Sequence, residues 1–336
     1  MDKKLTAVLI GAGGITQRWL EALTKRDDVE VVGIVELIQE RAFKRISEFM
    51  LNSKWYPNLP EALETCRPDL VFDCTLPETH CGNALTALHF GCHVLSEKPI
   101  AESSADVREI IAAAKAAGKI HAVIQNRRYL PQIIAYRDAV RHDIGTLTTL
   151  NSDFYMGAHF EGFRNTMEHV LLLDMAIHTF DQARFISGAD PVSVYCKEWN
   201  PAGSWYQHGA SAVAIFNMSN GMVFTYRGSW CSEGCNTTWE CDWRAIGTGG
   251  SVCLQNKQIY GEKILERGSF ISKTEPFTRE LPELPLLPHA ACIDEFIRCV
   301  KNGGVPQTNC EDNIHSLAMV EYAIRSAETN QTITIK

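Results

Sequence analysis

Short apolar segments alternate with helical segments from Leu5 to Asn126. Strands that alternate with helices pair in parallel, and their connections are right-handed crossovers. The pattern therefore predicts an α/β domain built on a doubly wound parallel sheet. The expected strands are Leu5–Gly11, Val29–Glu36, Leu70–Leu76, Val94–Lys98 and His121–Asn126. The expected helices are Gly14–Lys25, Gln39–Met50, Thr79–Phe90, and a segment that Ser103 or Ser104 caps and Gly118 ends.

The pattern changes after about Arg128. A predicted strand is followed by one long helical segment, His169–Ser187, and the later tripeptide Ser219-Asn220-Gly221 indicates a hairpin because Asn and Gly accept a positive φ. This part predicts an α+β domain with a mainly antiparallel open sheet. Its expected strands are Leu147–Met156, Ala212–Met218, Met222–Gly228, Trp239–Ile246 and Ser251–Gln255, and its last two helices lie near Ala290–Lys301 and Asp312–Glu328.

Composition limits the size of the core and the classes of partner. The chain has 336 residues, and such a length predicts two domains, which we place at 1–127 and 128–336. A formal net charge of −8 with no Lys/Arg-rich run favours neither nucleic acid nor a membrane as a partner, and no apolar stretch approaches the ~20 residues that span a bilayer. The 12 cysteines lie inside apolar runs such as Leu70–Leu76, which favours reduced, buried thiols in a cytoplasmic protein.

A glycine-rich turn, Gly11-Ala12-Gly13-Gly14-Ile15-Thr16, joins the first strand to the first helix. The first glycine permits a tight turn, the second lets the backbone approach a pyrophosphate, and the helix N-terminus offers N–H groups to an anion. Glu36 ends the next strand, where an acid accepts hydrogen bonds from the ribose hydroxyls of a dinucleotide. The alternative is a purely structural turn beside an ordinary surface glutamate.

Glu36 also indicates which dinucleotide is bound. A carboxylate there would repel a 2′-phosphate, and the next residue is Leu37 rather than arginine, so NAD is favoured over NADP. Arg41 is close in sequence, and its positive charge works against this preference for NAD. We therefore predict a Rossmann domain that binds NAD at residues 1–127.

Lys98 lies at the end of the fourth predicted strand, in Glu97-Lys98-Pro99. The carboxyl ends of parallel strands are where this fold binds ligands, so Lys98 should project toward the cofactor. Asp174 and His178 stand at i and i+4 of the long helix, on one face. An ammonium beside the oxygen and a base that titrates near neutral pH would help a hydroxyl lose its proton as its carbon loses a hydride. The alternative for Asp174 and His178 is an ordinary helix salt bridge or hydrogen bond.

Together these motifs resemble those of the glucose–fructose oxidoreductase / inositol dehydrogenase / MocA (Gfo/Idh/MocA) family over almost the whole chain. The combination most specific to this family is Glu97-Lys98-Pro99 followed, at this separation, by Asp174-Met175-Ala176-Ile177-His178. The other matching segments are Gly11–Thr16, Glu36 with Glu40-Arg41-Ala42, Leu76-Pro77-Glu78-Thr79-His80, Asn126-Arg127-Arg128-Tyr129 and Ser326-Ala327-Glu328-Thr329.

The resemblance implies an NAD-dependent oxidoreductase that transfers a hydride between nicotinamide and a secondary hydroxyl carbon of a sugar, polyol or related compound. It implies that Lys98 hydrogen-bonds the reacting oxygen, that His178 is the general base, and that Asp174 orients the substrate and the base. The cofactor-binding residues that it implies are Gly11, Gly13, Gly14, Ile15, Thr16, Glu36, Thr75, Leu76, Pro77, His80, Glu97 and Lys98. The substrate-binding residues that it implies are Arg127, Tyr155, Arg164 and His169. The apolar strand residues of the second domain lack enough helices to cover them, so we also expect its sheet to pair with another copy in a homodimer or homotetramer.

Two departures from the family pattern stand out. A Gly-Gly pair often precedes the family's aspartate, whereas this chain has Glu168-His169-Val170, so that His169 either reaches into the substrate pocket or caps the helix. Thr16 stands where the family has glycine or alanine. The first departure suggests an unusual substrate pocket.

Two further functions stay open. Relatives of this kind include NAD-using glycosidases that act by transient oxidation, and the other alternative is an NAD-binding regulator without turnover. The presence of Lys98, Asp174 and His178 argues against the regulator, because a sensor has no need of proton transfer. Cys231, Cys235 and Cys241 crowd one segment, but only one spacing suits a zinc knuckle, so we predict no metal.

Overall fold

The computed structural model describes residues 4–268 and 270–336 and divides the chain into two compact units. The first unit contains the described part of Met1–Asn126 together with Leu286–Leu317, and the second contains Arg127–Pro285 and Ala318–Lys336. In the described part of the chain, no helix is both long enough and apolar enough to cross a membrane.

The first unit is built on a six-stranded parallel sheet, which confirms the predicted doubly wound fold. Its strand order is β3-β2-β1-β4-β5-β6. The order in which successive strands are added reverses between β1 and β4, and in this fold ligands bind at such a switch point. The strands are β1 Leu5–Ile10, β2 Val29–Val35, β3 Lys54–Tyr56, β4 Leu70–Asp73, β5 His93–Ser96 and β6 His121–Val123. The helices of the first segment are α1 Thr16–Leu23, α2 Gln39–Glu48, α3 Leu59–Cys66, α4 Pro77–His89 and α5 Ser104–Ala117.

Strand β3 and helix α3 were not expected from the sequence. Strand β3 has only three residues, of which Tyr56 alone is buried, so it shows no apolar run. Helix α3 does carry a start signal: the Asn58 side chain accepts a hydrogen bond from the Glu61 N–H at 3.0 Å, and a proline occupies the first turn. For α5 the same kind of signal was interpreted correctly, since Ser103 caps its first turn.

Helix α8, Pro288–Asn302, belongs to the first unit, although the sequence analysis assigned all of 128–336 to the second domain. Ion pairs attach it there: Arg26 lies 2.7 Å from Asp294, and Lys301 lies 3.3 Å from Asp28. These contacts join segments that are far apart in the chain. No boundary signal in the sequence indicates that the chain returns to the first unit at this point.

The second unit contains a nine-stranded sheet of order β14-β13-β12-β11-β7-β10-β9-β8-β15, which confirms a mainly antiparallel sheet. Among the described strands of this sheet, only the central pair, β7 with β10, is parallel. The strands are β7 Leu147–Tyr155, β8 Pro191–Trp199, β9 Ser211–Met218, β10 Val223–Ser229, β11 Asp242–Gly247, β12 Gly250–Gln255, β13 Gln258–Glu266, β14 Lys273–Arg279 and β15 Ile333–Thr334. The remaining helices are α6 Pro131–His142, α7 Ile177–Ser187 and α9 Cys310–Thr329, and the division between the units falls inside α9.

Helix α7 packs on one face of this sheet through Phe180. The ring centre of Phe180 lies 5.0 Å from that of Phe216 on β9 and 5.3 Å from that of Tyr226 on β10. On the opposite face, Tyr195 of β8 pairs directly with Ile215 of β9, and these residues remain 38% and 43% exposed. One face of the sheet therefore belongs to the core and the other is open.

Candidate cofactor and active site

The glycine-rich turn lies between β1 and α1 in the first unit. Gly11 has a φ of +88°, and a Cβ atom there would lie 3.0 Å from the Cys74 carbonyl oxygen, so a larger residue would collide with backbone. Cβ atoms built at Gly13 and Gly14 would meet no described atom within 4 Å. The turn thus combines a tight bend with backbone that faces open space, and this geometry fits a dinucleotide pyrophosphate.

Thr16 replaces the small residue that usually ends this motif, and the structure shows how it is accommodated. Its side chain is fully buried, and its hydroxyl donates a 3.0 Å hydrogen bond to the Gly11 carbonyl oxygen. The hydroxyl therefore ties the start of α1 to the turn. Ile15 precedes it and is 37% exposed.

Glu36 follows β2 and lies against the glycine-rich turn. One carboxylate oxygen accepts a 2.7 Å hydrogen bond from the Ala12 N–H, and the other accepts a 3.0 Å bond from the Ile38 N–H. The guanidinium of Arg45 on α2 donates to the Gly13 carbonyl oxygen at 2.8 Å. A cavity of about 340 Å³ opens here, lined by Ala12, Gly13, Gly14, Arg41, Lys44 and Arg45.

A polar network organises the loop after β4. The Thr75 N–H and hydroxyl donate to one oxygen of buried Asp73 at 3.0 and 2.5 Å, and the Asn83 amide donates to its other oxygen at 3.0 Å. Leu76 is 55% exposed, and Pro77 begins α4. This loop lies beside the glycine-rich turn, because Thr75 Cγ2 would be 3.4 Å from a Cβ at Gly11.

His80 on α4 is fully buried and links two strand-end loops. Its Nδ1 lies 2.7 Å from the Pro99 carbonyl oxygen, and its Nε2 lies 3.2 Å from the Thr75 carbonyl oxygen. The structure thus gives His80 a position that holds the loop after β4 against the Lys98-Pro99 segment. Its binding to a cofactor stays a prediction.

Glu97 and Lys98 follow β5, at the same edge of the parallel sheet as the glycine-rich turn. The Trp19 indole N–H donates to the Glu97 carboxyl at 2.8 Å, and the Lys98 backbone N–H donates to its other oxygen at 3.3 Å. Burial raises the pKa of Glu97, against the lowering effect of these hydrogen bonds and of the Lys98 charge. The peptide between Lys98 and Pro99 is cis.

Asp174 and His178 lie in the second unit, but the helix that carries them is not the continuous α-helix expected over His169–Ser187. Residues Leu171–Ala176 form a π-helical segment, and α7 starts after it. Asp174 is in the wider π turns and buried His178 is in α7, so the i, i+4 geometry of an α-helix does not describe them. Such insertions in helices occur frequently at functional sites.

Asp174 forms an ion pair with Arg164. The Arg164 Nε donates to one Asp174 oxygen at 2.5 Å, and the Arg164 guanidinium carbon lies 5.0 and 4.7 Å from the ring centres of Phe160 and Phe163. Two aromatic rings and a carboxylate thus hold this guanidinium, and the structure brings these two predicted residues together.

Arg127 joins this group through Met175, the neighbour of Asp174 in the chain. Its guanidinium donates to the Met175 sulfur at 3.5 Å and to the Trp239 carbonyl oxygen. Burial lowers the pKa of Arg127. Tyr155 lies elsewhere: side chains alternate along β7, so Tyr155 is on the face of the Asp153–Arg227 ion pair, and the structure does not bring it into this group.

His169 has a φ of +52°, the left-handed conformation that favours glycine. Its Nδ1 lies 2.5 Å from a Glu198 carboxylate oxygen, and its Nε2 lies 3.7 Å from Glu328. The hydrogen bond to Glu198 raises the pKa of His169. Its carbonyl accepts from the Leu173 N–H at 2.9 Å, so its backbone starts the helix while its ring is occupied by two carboxylates.

Comparison with known families identifies the chain. A family profile described as an oxidoreductase family with an NAD-binding Rossmann fold matches residues 5–125, and a GFO/IDH/MocA C-terminal domain profile matches residues 135–253. The chain belongs to the Gfo/Idh/MocA oxidoreductase family. This membership confirms the resemblance seen in the motifs, and it makes the protein an NAD-binding oxidoreductase with sugar dehydrogenases and reductases among its homologues.

Three Gfo/Idh/MocA relatives are distant in sequence but match nearly the whole chain. A 1,5-anhydro-D-fructose reductase from Ensifer adhaerens is 24% identical over 334 residues, with 98% of each chain covered. A D-apiose dehydrogenase from Paraburkholderia graminis is 26% identical over 346 residues, covering 99% of this chain and 90% of the relative. An oxidoreductase from Agrobacterium radiobacter, solved with NAD⁺, L-tartaric acid and magnesium, shares the fold with a TM-score of 0.86 at 20% identity, covering 99% of this chain and 98% of the other.

Sequence reasoning missed several residues that organise this Gfo/Idh/MocA protein. Asp73 and Asn83 support the loop after β4, and Glu198 holds the ring of His169. The position of Asp73 at the end of a buried strand was a usable signal, because a charged residue there needs partners. Glu198 had no such signal, since its contact with His169 depends on how two distant segments pack.

Proposed function

We propose that this protein is a cytoplasmic, NAD-dependent dehydrogenase that acts on a secondary hydroxyl of a sugar, polyol or related compound. The observation that carries the proposal is the Glu36 carboxylate lying against the glycine-rich turn, at the sheet edge from which Lys98 also emerges. The sugar substrates named for the 1,5-anhydro-D-fructose reductase and the D-apiose dehydrogenase support the substrate class.

The proposed cofactor site uses this chain's backbone and a few side chains. Gly11, Gly13 and Gly14 would face the pyrophosphate with Ile15 and Thr16 at the start of α1, and Glu36 would accept from the ribose hydroxyls. Bound NAD supplies the hydride acceptor. The proposed supporting residues near the nicotinamide end are Thr75, Leu76, Pro77, His80, Glu97 and Lys98.

The proposed catalytic residues transfer one proton and stabilise one developing negative charge. Lys98 donates a hydrogen bond to the substrate oxygen, and its ammonium stabilises negative charge there. His178 removes the hydroxyl proton in oxidation and returns it in reduction. Asp174 orients the substrate and the base, and we keep Arg127, Tyr155, Arg164 and His169 as proposed substrate-binding residues.

A spectrophotometric test separates this proposal from its alternatives. Purified protein with NAD is incubated with a panel of sugars and polyols, and NADH is followed by its absorbance. Net NADH that increases with substrate supports a dehydrogenase. Release of an aglycone from glycosides without net NADH indicates the glycosidase, and binding of NAD with no turnover anywhere in the panel indicates the regulator.

The Glu36 carboxylate is expected to set the preference for NAD over NADP. Glu36→Gln keeps the shape of the side chain and removes its charge, so NAD binding should weaken about tenfold to a hundredfold while NADP binding is little affected or improves. Titration of both dinucleotides by calorimetry measures the ratio. Glu30→Gln, on β2 and away from the turn, is the matched control. Equal affinities for NAD and NADP in the unchanged protein would contradict the assignment.

The open face of the second unit's sheet is expected to pair with another copy of the chain, giving a homodimer or homotetramer. A glutamate in place of Ile215 would put a charge at the middle of that face, so Ile215→Glu should dissociate the assembly. Sedimentation velocity at micromolar concentration measures the mass. Phe43→Glu, at a 51% exposed position in the first unit, is the control and should leave the mass unchanged. An unmodified protein that sediments as a monomer refutes the expectation.

A further inference from the structure

Arg127 carries a half-buried positive charge with weak partners. A guanidinium has five N–H groups, and the described residues offer acceptors to two of them: the neutral Trp239 carbonyl oxygen and the Met175 thioether, which is a weak acceptor. No carboxylate in the described part of the chain lies within ion-pair distance of Arg127. The two buried arginines are different: Arg128 has Asp181, and Arg184 has Asp190.

The groups that surround Arg127 leave its charge largely uncompensated. Its ionisable neighbours are Asp174, Glu240, Cys241 and Tyr226. Burial raises the pKa of Cys241 to about 12 and holds that of Tyr226 well above its usual value, so both are neutral near pH 7. Asp174 is already paired with Arg164 at 2.5 Å, which leaves Glu240, beyond contact distance, as the remaining negative charge.

A charge that is partly removed from water and lacks a counter-ion is costly unless a ligand supplies one. Arg127 contacts Met175, whose chain neighbour Asp174 we propose to orient the substrate. Its planar fork of N–H groups matches the two oxygens of a carboxylate. A ligand carboxylate would give these donors the acceptors that the protein does not provide.

From this geometry we propose that the substrate is a polyhydroxy acid, such as a uronic or aldonic acid, whose carboxylate binds Arg127. The inference rests on the proposed dehydrogenase function and narrows its substrate class. Arg127 then determines specificity: it binds the acid group, while the hydroxyl that is oxidised is a separate part of the molecule.

Matched pairs of neutral and acidic compounds test this inference in the NAD-loaded protein. The pairs are D-glucose with D-glucuronate, D-galactose with D-galacturonate, and D-glucitol with D-gluconate, and D-glucose 6-phosphate represents an anion of different shape. We measure kcat/KM from NADH formation, and we measure binding of D-gluconate and D-glucitol by calorimetry. We expect the acid of at least one pair to be preferred tenfold or more.

The variant Arg127→Met retains most of the side-chain volume and removes the charge. It should raise KM for the preferred acid more than it lowers kcat, and the ratio of acid to neutral kcat/KM should fall about tenfold to a hundredfold. Arg137→Met, in an ion pair with Asp138 on the surface of the same unit, is the control and should leave that ratio unchanged.

The outcomes separate the two proposals. NADH formed from neutral compounds as readily as from acids overturns the inference and leaves the proposed function standing. A preference for the phosphate, or an acid preference that survives in Arg127→Met, also overturns it. NADH formed from no member of any pair counts against the proposed function, and calorimetry then decides the inference: equal affinity for D-gluconate and D-glucitol refutes it.

Discussion

Lys98→Ala and His178→Ala are each expected to lower kcat by about 10²–10⁴-fold while NAD binding stays nearly unchanged. The reason is that both side chains are proposed to act on the substrate oxygen. Lys98 is also proposed to lie near the nicotinamide, but the pyrophosphate and ribose contacts of NAD are proposed to involve the glycine-rich turn and Glu36. Losing the base leaves the hydroxyl proton in place during hydride departure, and losing the ammonium leaves the developing negative charge without its donor. Because both serve one proton transfer, the double variant should be little slower than either single variant.

Steady-state kinetics with NAD titrations in parallel check this result. Lys115→Ala and His315→Ala remove the same residue types from exposed positions on the first unit and serve as controls. If His178 were only part of a helix side-chain pair, its loss would cost about 0.2–0.5 kcal/mol of stability and leave the rate alone. A His178→Ala enzyme with full activity would end the proposed mechanism.

Asp181→Ala is expected to destabilise the second unit by about 3–5 kcal/mol. Asp181 accepts two hydrogen bonds from Arg128, at 2.7 and 2.6 Å, and the two side chains are 1% and 5% exposed. Removing the carboxylate therefore leaves a guanidinium buried beside a cavity, and desolvation of that charge is then no longer offset.

Urea unfolding monitored by fluorescence measures this loss, and Asp138→Ala is the matched control. Asp138 pairs with Arg137 at 2.7 Å, but the two side chains are 50% and 25% exposed, so its removal should cost less than about 1 kcal/mol. If both variants unfold at the same urea concentration, burial does not determine the contribution of these pairs.

The fold of the first unit could be predicted because its signals are local. Apolar runs, the cap at Ser103 and the positive φ at Gly118 each involve neighbouring residues. Strand β3 escaped prediction because a three-residue strand with one buried side chain has no periodicity. Helix α8 could not be assigned to this unit from the sequence, because Arg26 and Asp294 are brought together only by packing.

The candidate site likewise contains residues that could be predicted from the sequence and residues that could not. The glycine-rich turn, Glu36 and Lys98 could be found from spacing along strands, which is regular. The ion pair of Arg164 with Asp174 could not, because it depends on a loop that folds back across Phe160. The contact of His169 with Glu198 could not be predicted either, since Glu198 lies on β8, far from His169 in the chain.

The π-helical segment Leu171–Ala176 has a consequence for how this chain can tolerate insertions and deletions. A π turn holds one residue more than an α turn, so the loss of a single residue here would restore regular α geometry. Each residue of an α-helix turns the chain by about 100°, so the same loss would rotate everything before it relative to α7. Asp174 would then leave its present orientation although both of its chain neighbours were retained. Point substitutions in this segment alter one side chain, whereas a change in its length alters the direction of the whole preceding strand-to-helix loop.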